Sequence, residues 1–114
     1  MAHKEQEDYF KHLKVRFAKE IESADNIVEI GSSDLNGSVR KFFNKDSLYF
    51  GVDLHPGEGV DSIIPGELLQ LPNSWADIMI STECFEHAKD WKKILLNMIR
   101  ITKNGGLIFL TFAG

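Results

Sequence analysis

The segment most diagnostic of the fold is Asn26-Ile27-Val28-Glu29-Ile30-Gly31, a short apolar run that ends on a glycine. Its β-branched residues and its shortness predict a buried strand, because a strand covered on both faces shows no polar alternation. Working outward from it, further strands are predicted at 48–53, 60–64, 77–82 and 107–112. The turns between these runs carry glycine, proline, asparagine and aspartate, which favour chain reversals.

Helical segments are predicted between the strands. An amphipathic helix over about 6–22 places four apolar residues at helical spacing, namely Phe10, Leu13, Phe17 and Ile21. A short helix from Gly37 turns three apolar residues inward, Val39, Phe42 and Phe43, and a helical turn follows at 67–71. A longer helix has one apolar face and is ended by Asn104-Gly105-Gly106; the face consists of Trp91, Ile94, Leu95, Met98 and Ile101. Strands that alternate with helices predict an α/β protein with a parallel sheet.

Composition narrows the class of protein without giving a function. The 114 residues are enough for one domain, with an N-terminal helix at about 6–22 and an α/β core at about 26–114. A formal net charge of −4 disfavours broad binding to nucleic acid, and no apolar run is long enough to span a membrane. The single cysteine, Cys84, excludes an intrachain disulfide and favours the reducing cytoplasm.

Polar residues follow the predicted strands at the edge where parallel sheets bind ligands. They are Glu29, Gly31, Asp53 and the Ser81-Thr82-Glu83 group. The turn after the first strand lacks the Gly-x-Gly-x-x-Gly spacing that binds a pyrophosphate, and polar side chains fill it. Alone, this turn fits an ordinary strand-to-helix connection equally well. Asp53 lies 22 residues after Gly31, where a carboxylate accepts hydrogen bonds from both ribose hydroxyls, so the pair favours a nucleoside ligand.

Four motifs in order resemble those of class I S-adenosylmethionine-dependent methyltransferases, of the type 11-like group. The first, Val28-Glu29-Ile30-Gly31-Ser32-Ser33-Asp34-Leu35-Asn36-Gly37, is similar to the cofactor-binding turn, with Asn36-Gly37-Ser38 in place of a glycine-rich end. The second is Tyr49-Phe50-Gly51-Val52-Asp53-Leu54 followed by Pro56-Gly57-Glu58-Gly59-Val60-Asp61, and the third is Asp77-Ile78-Met79-Ile80-Ser81-Thr82-Glu83-Cys84-Phe85-Glu86-His87. The fourth is Lys103-Asn104-Gly105-Gly106-Leu107-Ile108-Phe109-Leu110-Thr111. The resemblance implies a Rossmann-like three-layer sandwich with strand order 3-2-1-4-5 and S-adenosylmethionine as the cofactor.

The resemblance also implies roles for individual residues. Glu29 and Gly31, with Ser32 and Ser33 of the same turn, would line the methionine end of the cofactor. Asp53 and Leu54 would hold the ribose, and Gln70 and Leu71 would flank the adenine. Ser81 and Thr82 would lie below the sulfonium, with Glu86 and His87 near the methyl group as candidate catalytic residues. A structural role for His87, capping or packing at a helix start, stays open, and no pattern of histidines indicates a metal site.

The sequence also departs from the pattern of this family. Ser33 stands where many relatives have a second glycine, and Pro65 stands where relatives often have an aspartate that contacts adenine. The chain ends after the fifth strand of a seven-stranded family fold, so it is expected to be truncated. That would leave 107–112 as an exposed apolar edge, which favours either a fragment or a homodimer through this strand.

Three hypotheses of function follow. The first is methyl transfer to an unidentified small-molecule acceptor, with no membrane partner and nucleic acid disfavoured. The second is a catalytically incomplete fragment that binds the cofactor or dimerises. The third, a nicotinamide dehydrogenase, also uses an acidic residue after the second strand, but the missing glycine motif argues against it. Trp91 and Met98 are interpreted as core residues and Cys84 as a buried apolar residue.

Overall fold

The computed structural model describes residues 3–32, 39–82 and 91–111. Within these ranges five parallel strands form one sheet in the order β3-β2-β1-β4-β5. The strands are β1 Asn26–Ile30, β2 Leu48–Asp53, β3 Ser62–Ile63, β4 Ala76–Thr82 and β5 Thr102–Thr111. The predicted α/β class and the predicted strand order are both confirmed.

Helices cover both faces of this sheet. They are α1 His3–Arg16, α2 Ala18–Ser23 and α3 Trp91–Ile101, and single 3₁₀ turns lie at Arg40–Phe42 and Gly66–Leu68. Within the described part of the chain, no helix is long and apolar enough to cross a bilayer.

Two apolar clusters explain why the sheet is buried on both faces. One joins α1, α2 and the Arg40–Phe42 turn to one face of the sheet; its central members are Phe10, Ile21, Phe42, Ile27, Ile78 and Ile80. The other lies between α3 and the opposite face; its central members are Ile94, Met98, Ile101, Val28, Ile30 and Met79. Successive residues of β1 and β4 therefore enter opposite clusters, as the period of two in a strand requires.

The N-terminal helix differs from the prediction of one helix over about 6–22. Phe17 leaves the helical conformation, with φ −113° and ψ 36°, and separates α1 from α2. Its ring packs against Phe109 with 5.8 Å between ring centroids. The break allows two short helices to follow the twisted sheet, so Phe10 and Ile21 are both buried.

Two further predictions need correction near α3. The apolar strand predicted at 107–112 begins earlier, at Thr102, because Thr102 pairs with Ala76 ahead of an irregularity in the β4–β5 register. Asn104-Gly105-Gly106 therefore lies within the strand, and the helix ends at Ile101. The interpretation of Trp91 as core is wrong, because this first residue of α3 is 45% exposed. Met98 in the middle of the helix is fully buried, as predicted.

Candidate functional site

The turn after β1 folds over the end of β2. The backbone N–H groups of Gly31 and Ser32 both donate to the carbonyl oxygen of Val52, at 2.8 and 3.0 Å. Gly31 has φ 82°, a conformation that costs other residues about 1–2 kcal/mol. This glycine thus directs Ser32 back over the sheet. The predicted turn after β1 and the end of β2 therefore lie together at the carboxyl edge of the sheet.

Gly51 of β2 lies in the closest backbone contact of this edge. A Cβ placed there would lie 2.2 Å from the carbonyl oxygen of Gly59 and 2.5 Å from Ser32 Oγ. Asp61 fixes the same contact, since its carboxylate accepts from Gly51 N–H at 2.7 Å and its own N–H donates to the carbonyl of Gly51 at 2.7 Å. The loop after β2 is therefore held against the turn after β1.

Glu29 lies buried just below this turn, with 3% of its surface exposed. Its Oε1 accepts a hydrogen bond from the Tyr49 hydroxyl at 2.6 Å. Burial raises the pKa of Tyr49 well above its ordinary value, the negative charge of Glu29 raises it further, and Arg40 opposes them. The guanidinium of Arg40 lies 4.5 Å from the centre of the Tyr49 ring. Tyr49 is thus held as a neutral donor to Glu29.

The hydroxyl of Ser32 is the one buried side-chain polar atom that finds no hydrogen-bond partner across the described ranges. Ser32 is 3% exposed and sits at the predicted cofactor-binding turn. A buried hydroxyl without a partner costs folding free energy of about 1–3 kcal/mol. A ligand that forms a hydrogen bond with such a hydroxyl removes this cost, so an unpaired buried hydroxyl is typical of a binding site.

Asp53 ends β2 with its side chain half-buried and its Oδ1 accepting from His55 N–H at 3.1 Å. Large apolar side chains follow it in exposed positions: Leu54 is 62% exposed, Ile63 59% and Leu68 59%. Ile63 is the register partner of Asp53. A carboxylate beside exposed apolar side chains suits a ribose attached to an aromatic base.

Ile63 and Leu68 were missed by the sequence reasoning, which considered only Leu54, Gln70 and Leu71 for this part of the site. A signal was present in the adjacent apolar pairs Ile63-Ile64 and Leu68-Leu69. In an extended segment two neighbouring side chains point in opposite directions, so one member of the Ile63-Ile64 pair faces away from the core. Leu68 ends the 3₁₀ turn and Leu69 follows it in extended conformation, so the two side chains of this pair also take different directions. Leu69 is 6% exposed, whereas Leu68 is largely exposed.

Gln70 and Leu71 lie on the segment that continues toward the amino-terminal edge of the sheet. Gln70 is exposed, and Leu71 is half-buried with its carbonyl oxygen accepting from Arg100 at 2.8 Å. Their predicted contact with adenine stays a prediction. Along the sequence, the Gly66–Leu68 turn is nearer to Asp53 than Gln70 and Leu71 are.

The fourth strand brings Ser81 and Thr82 to the same edge as Gly31. Ser81 is fully buried and pairs in register with Ile30, and Thr82 pairs with Thr111 of β5. Three predicted residues, Ser33, Glu86 and His87, lie outside the described residues, as does Cys84. The structure thus brings together Glu29, Gly31, Ser32, Asp53, Ser81 and Thr82 at one edge.

A shallow cavity of about 170 Å³ lies at the opposite, amino-terminal edge. Its lining includes Asp77 and Lys103, whose carboxylate and ammonium are 3.0 Å apart. Asp77 and Lys103 are paired with each other, and the cavity lies at the edge opposite the predicted cofactor-binding residues. Over the described ranges, no group of three metal-ligating side chains is present.

Comparison with known families assigns the class of this protein. Residues 29–110 match the methyltransferase domain family. Because this match covers most of the chain, the chain belongs to that family, whose methyl donor is S-adenosylmethionine. A search of the curated proteins finds no match.

Solved structures show the same fold at low identity. The chain is similar to the YcgJ protein of Bacillus subtilis, with 20% identity over 90% of this chain and 50% of that one, and a TM-score of 0.72. It is also similar to an S-adenosylmethionine-dependent methyltransferase of Mesorhizobium loti, with 18% identity, coverage of 79% and 47%, and a TM-score of 0.60. The chain therefore spans about half the length of these proteins.

The residues at the carboxyl edge fit S-adenosylmethionine. The orphaned hydroxyl of Ser32 and the buried carboxylate of Glu29 are polar groups suited to its amino acid end. The carboxylate of Asp53 has two oxygens for the ribose diol, and Leu68 is one of the exposed apolar side chains available to the base.

Proposed function

We propose that this chain binds S-adenosylmethionine at the carboxyl edge of its sheet and transfers the methyl group to a small-molecule acceptor. Family membership supports S-adenosylmethionine-dependent methyl transfer in general. The observation that carries the proposal for this chain is the convergence of Glu29, Ser32 and Asp53 at one sheet edge. The orphaned hydroxyl of Ser32 is the strongest part of it, because residues 3–32, 39–82 and 91–111 give that group no hydrogen-bond partner.

The proposed placement of the cofactor follows the chemistry of the edge. Glu29 and the turn of Gly31, Ser32 and Ser33 hold the amino acid end. Asp53 accepts from the ribose hydroxyls. The exposed apolar side chains, with Gln70 and Leu71 beyond them, surround the base; they are Leu54, Ile63 and Leu68.

The cofactor supplies a methyl group already activated by a sulfonium, so the protein mainly has to position donor and acceptor. Ser81 and Thr82 define the edge of the sheet beneath that position. Glu86 and His87 are proposed to approach the acceptor, where the imidazole of a histidine serves as a proton acceptor. No catalytic triad is required for this reaction.

The proposal covers partners and location as well. The net charge of −4 favours a small acceptor over a nucleic acid. The single cysteine supports the reducing cytoplasm as the compartment. We propose that residues 1–114 form one cofactor-binding domain, because both apolar clusters pack against the same sheet.

Calorimetric titration with S-adenosylmethionine and S-adenosylhomocysteine tests the proposal, with NAD as the control ligand. We expect both sulfur ligands to bind, NAD not to bind, and Asp53→Ala to abolish binding. The matched control is Asp46→Ala, which removes an exposed carboxylate in the turn before β2. A folded wild-type chain that binds neither sulfur ligand would overturn the proposal.

A second candidate function is a binding or dimerisation module that lacks the complete reaction. It is favoured by the position of β5 at the end of the strand order and by two exposed apolar residues of α3, Leu96 at 66% and Ile99 at 53%. An unpaired edge strand and an exposed pair of apolar side chains on a helix are each features that associate with another chain. Light scattering would show a homodimer that the double variant Leu96→Glu, Ile99→Glu converts to a monomer. A wild-type monomer at all concentrations would exclude dimerisation through this surface.

A further inference from the structure

Two side chains of α3 hold the segment that follows β3. The amide nitrogen of Asn97 donates to the carbonyl oxygens of Gly66 and Leu69, at 2.8 and 3.0 Å. The side-chain oxygen of Asn97 accepts from Arg100 Nε at 2.8 Å, so the two side chains act as one unit. We call this unit the Asn97–Arg100 clamp.

Arg100 extends the clamp along the same segment. Its Nη2 donates to the carbonyl oxygen of Leu69 at 3.1 Å, and its Nη1 donates to the carbonyl oxygen of Leu71 at 2.8 Å and to Asn73 Oδ1 at 2.6 Å. The planar guanidinium presents several donors in fixed directions, which a lysine ammonium lacks. The guanidinium of Arg100 therefore donates mainly to backbone carbonyl oxygens, and in the described ranges it forms no ion pair with a carboxylate.

Both ends of the clamped segment are also fixed. A Cβ placed on Gly66 would lie 2.9 Å from Ile30 Cγ2 and 3.2 Å from Ile94 Cγ2, so the segment begins wedged between the end of β1 and α3. At its other end, Ser74 N–H donates to the carbonyl of Arg100 at 2.9 Å. Between these ends only the Gly66–Leu68 turn is regular, so the clamp sets the shape of the backbone.

The clamp controls a part of the candidate site that no single strand positions. Leu68 is an exposed residue of the Gly66–Leu68 turn. The clamp binds the carbonyl oxygen of Gly66, at the start of this turn, and that of Leu69, directly after it. On the opposite side of the same edge, Glu29 and Ser32 are positioned by β1 and β2. The amino acid end and the base end of the site therefore depend on different supports.

We infer that Asn97 and Arg100 are positioning residues that fix the base-binding loop of the cofactor site through the backbone of 66–73. The inference rests on the proposed function, since it assigns a role within that site. Neither residue needs to touch the ligand. Loss of the clamp releases three carbonyl oxygens and allows the turn that carries Leu68 to move relative to Ile30 at the end of β1, against which Gly66 packs.

Two ligands separate this role from a general loss of stability. S-adenosylhomocysteine has both an adenosine and an amino acid end, whereas 5′-methylthioadenosine has the adenosine only. Arg100→Met removes the donors at similar side-chain length, and Lys93→Met is the matched control for loss of an exposed cation on α3. Glu29→Gln is the comparator at the amino acid end.

We expect Arg100→Met to raise the Kd of both ligands by the same factor of about ten, equivalent to about 1.4 kcal/mol. Arg100→Lys should not restore affinity, and Lys93→Met should leave both constants within about twofold, which is small on the scale of a lost contact. Glu29→Gln should weaken S-adenosylhomocysteine more than 5′-methylthioadenosine. Both titrations are made at a temperature where circular dichroism shows the Arg100→Met chain to be fully folded. There a merely structural role would leave both constants unchanged, whereas an equal loss for two ligands that share only the adenosine places the defect at the base end.

Several outcomes decide the inference. An Arg100→Met chain that melts earlier but binds both ligands as tightly as wild type would overturn it. If Arg100→Met does not fold, Asn97→Ala gives the same test with fewer hydrogen bonds lost, and the same equal weakening of both ligands is expected. A wild-type chain that binds neither ligand would instead refute the proposed function, so the two failures are distinguishable.

Discussion

The two edges of the sheet use polar side chains in opposite ways. At the amino-terminal edge the Asp77 carboxylate accepts hydrogen bonds from Asp25 N–H at 3.0 Å, Asn26 N–H at 2.9 Å and Lys103 Nζ at 3.0 Å. Ser47 Oγ donates to the carbonyl of Ala24 at 2.5 Å. These groups join helix, strand and loop, and their hydrogen bonds are made within the protein.

The carboxyl edge leaves more of its binding capacity for a ligand. Ser32 Oγ is buried without a partner in the part of the chain that the structure describes. Leu54, which follows Asp53 in the chain, and Ile63, its register partner, are largely exposed. An unpaired hydroxyl and exposed apolar side chains both reduce the free energy of unfolding. The polar groups named at the amino edge have hydrogen-bond partners and carry no such cost. Polar side chains at the amino edge therefore serve stability, whereas the carboxyl edge is closely packed at Gly51 but keeps polar and apolar groups that are available to a ligand.

The largest effect is expected where the carboxyl edge is most tightly packed. Gly51→Ala places a Cβ against the backbone oxygen of Gly59 and against Ser32. We expect the free energy of unfolding to fall by about 3 kcal/mol, because a backbone atom cannot move aside as a flexible side chain does. Urea denaturation measures it. An unchanged midpoint would show that this edge is not packed as closely as the distances indicate.

The next effect concerns Asp77 at the amino edge and the dependence of stability on pH. Partial burial, the largest single influence, acts to raise the pKa of Asp77, but hydrogen bonds from Asn26, Lys103 and Asp25 and the charge of Lys103 together lower it below its usual value. A carboxyl whose pKa is lowered by folding stabilises the native state above its unfolded pKa, and this contribution is lost as pH falls through the folded value.

Asp77→Asn should therefore reduce the free energy of unfolding by about 2 kcal/mol at pH 7. The difference between wild type and variant should stay constant down to about pH 5 and shrink below about pH 4, where the wild-type carboxyl also becomes protonated. Urea titrations at several pH values check both statements. A difference that persists unchanged at pH 2 would mean that packing, and not the charge, makes Asp77 stabilising.

The smallest effect compares the two edges most directly, because the same change, serine to alanine, is made at each of them. Ser47→Ala removes a hydroxyl with a partner and should cost about 1 kcal/mol of unfolding free energy. Ser32→Ala removes a hydroxyl without one and should leave stability unchanged or raise it by up to about 1 kcal/mol. Thermal unfolding of the two variants gives the signs. Equal losses in both would remove the contrast between the edges.

Much of the fold could be predicted from the sequence, because it depends on local patterns. The bounds of β1 and β2 agree with the apolar runs, and Met98 is buried as its spacing indicates. The candidate site was also predictable at Glu29, Gly31 and Asp53, since the topology of a parallel sheet brings strand ends to one edge. The roles of these residues toward the cofactor stay predictions.

Other features depend on contacts between distant parts of the chain. Phe17 breaks the N-terminal helix where α1 and α2 meet the sheet, and Trp91 is exposed although it continues the apolar spacing of α3. The exposed side chains of Ile63 and Leu68 depend on which member of an apolar pair reaches the core. Local periodicity does not contain that information.

The sequence by itself determined the class of fold, the order in which strands and helices alternate, and the chemical types that meet at the carboxyl edge. Tertiary structure alone decided that Gly51 must be glycine for lack of space and that Arg100 holds the carbonyl of Leu69, 31 residues away. The physical reason is the range of each effect. Hydrophobic periodicity is written along a few consecutive residues, whereas close backbone approaches and side-chain-to-carbonyl hydrogen bonds exist only after distant segments have packed together.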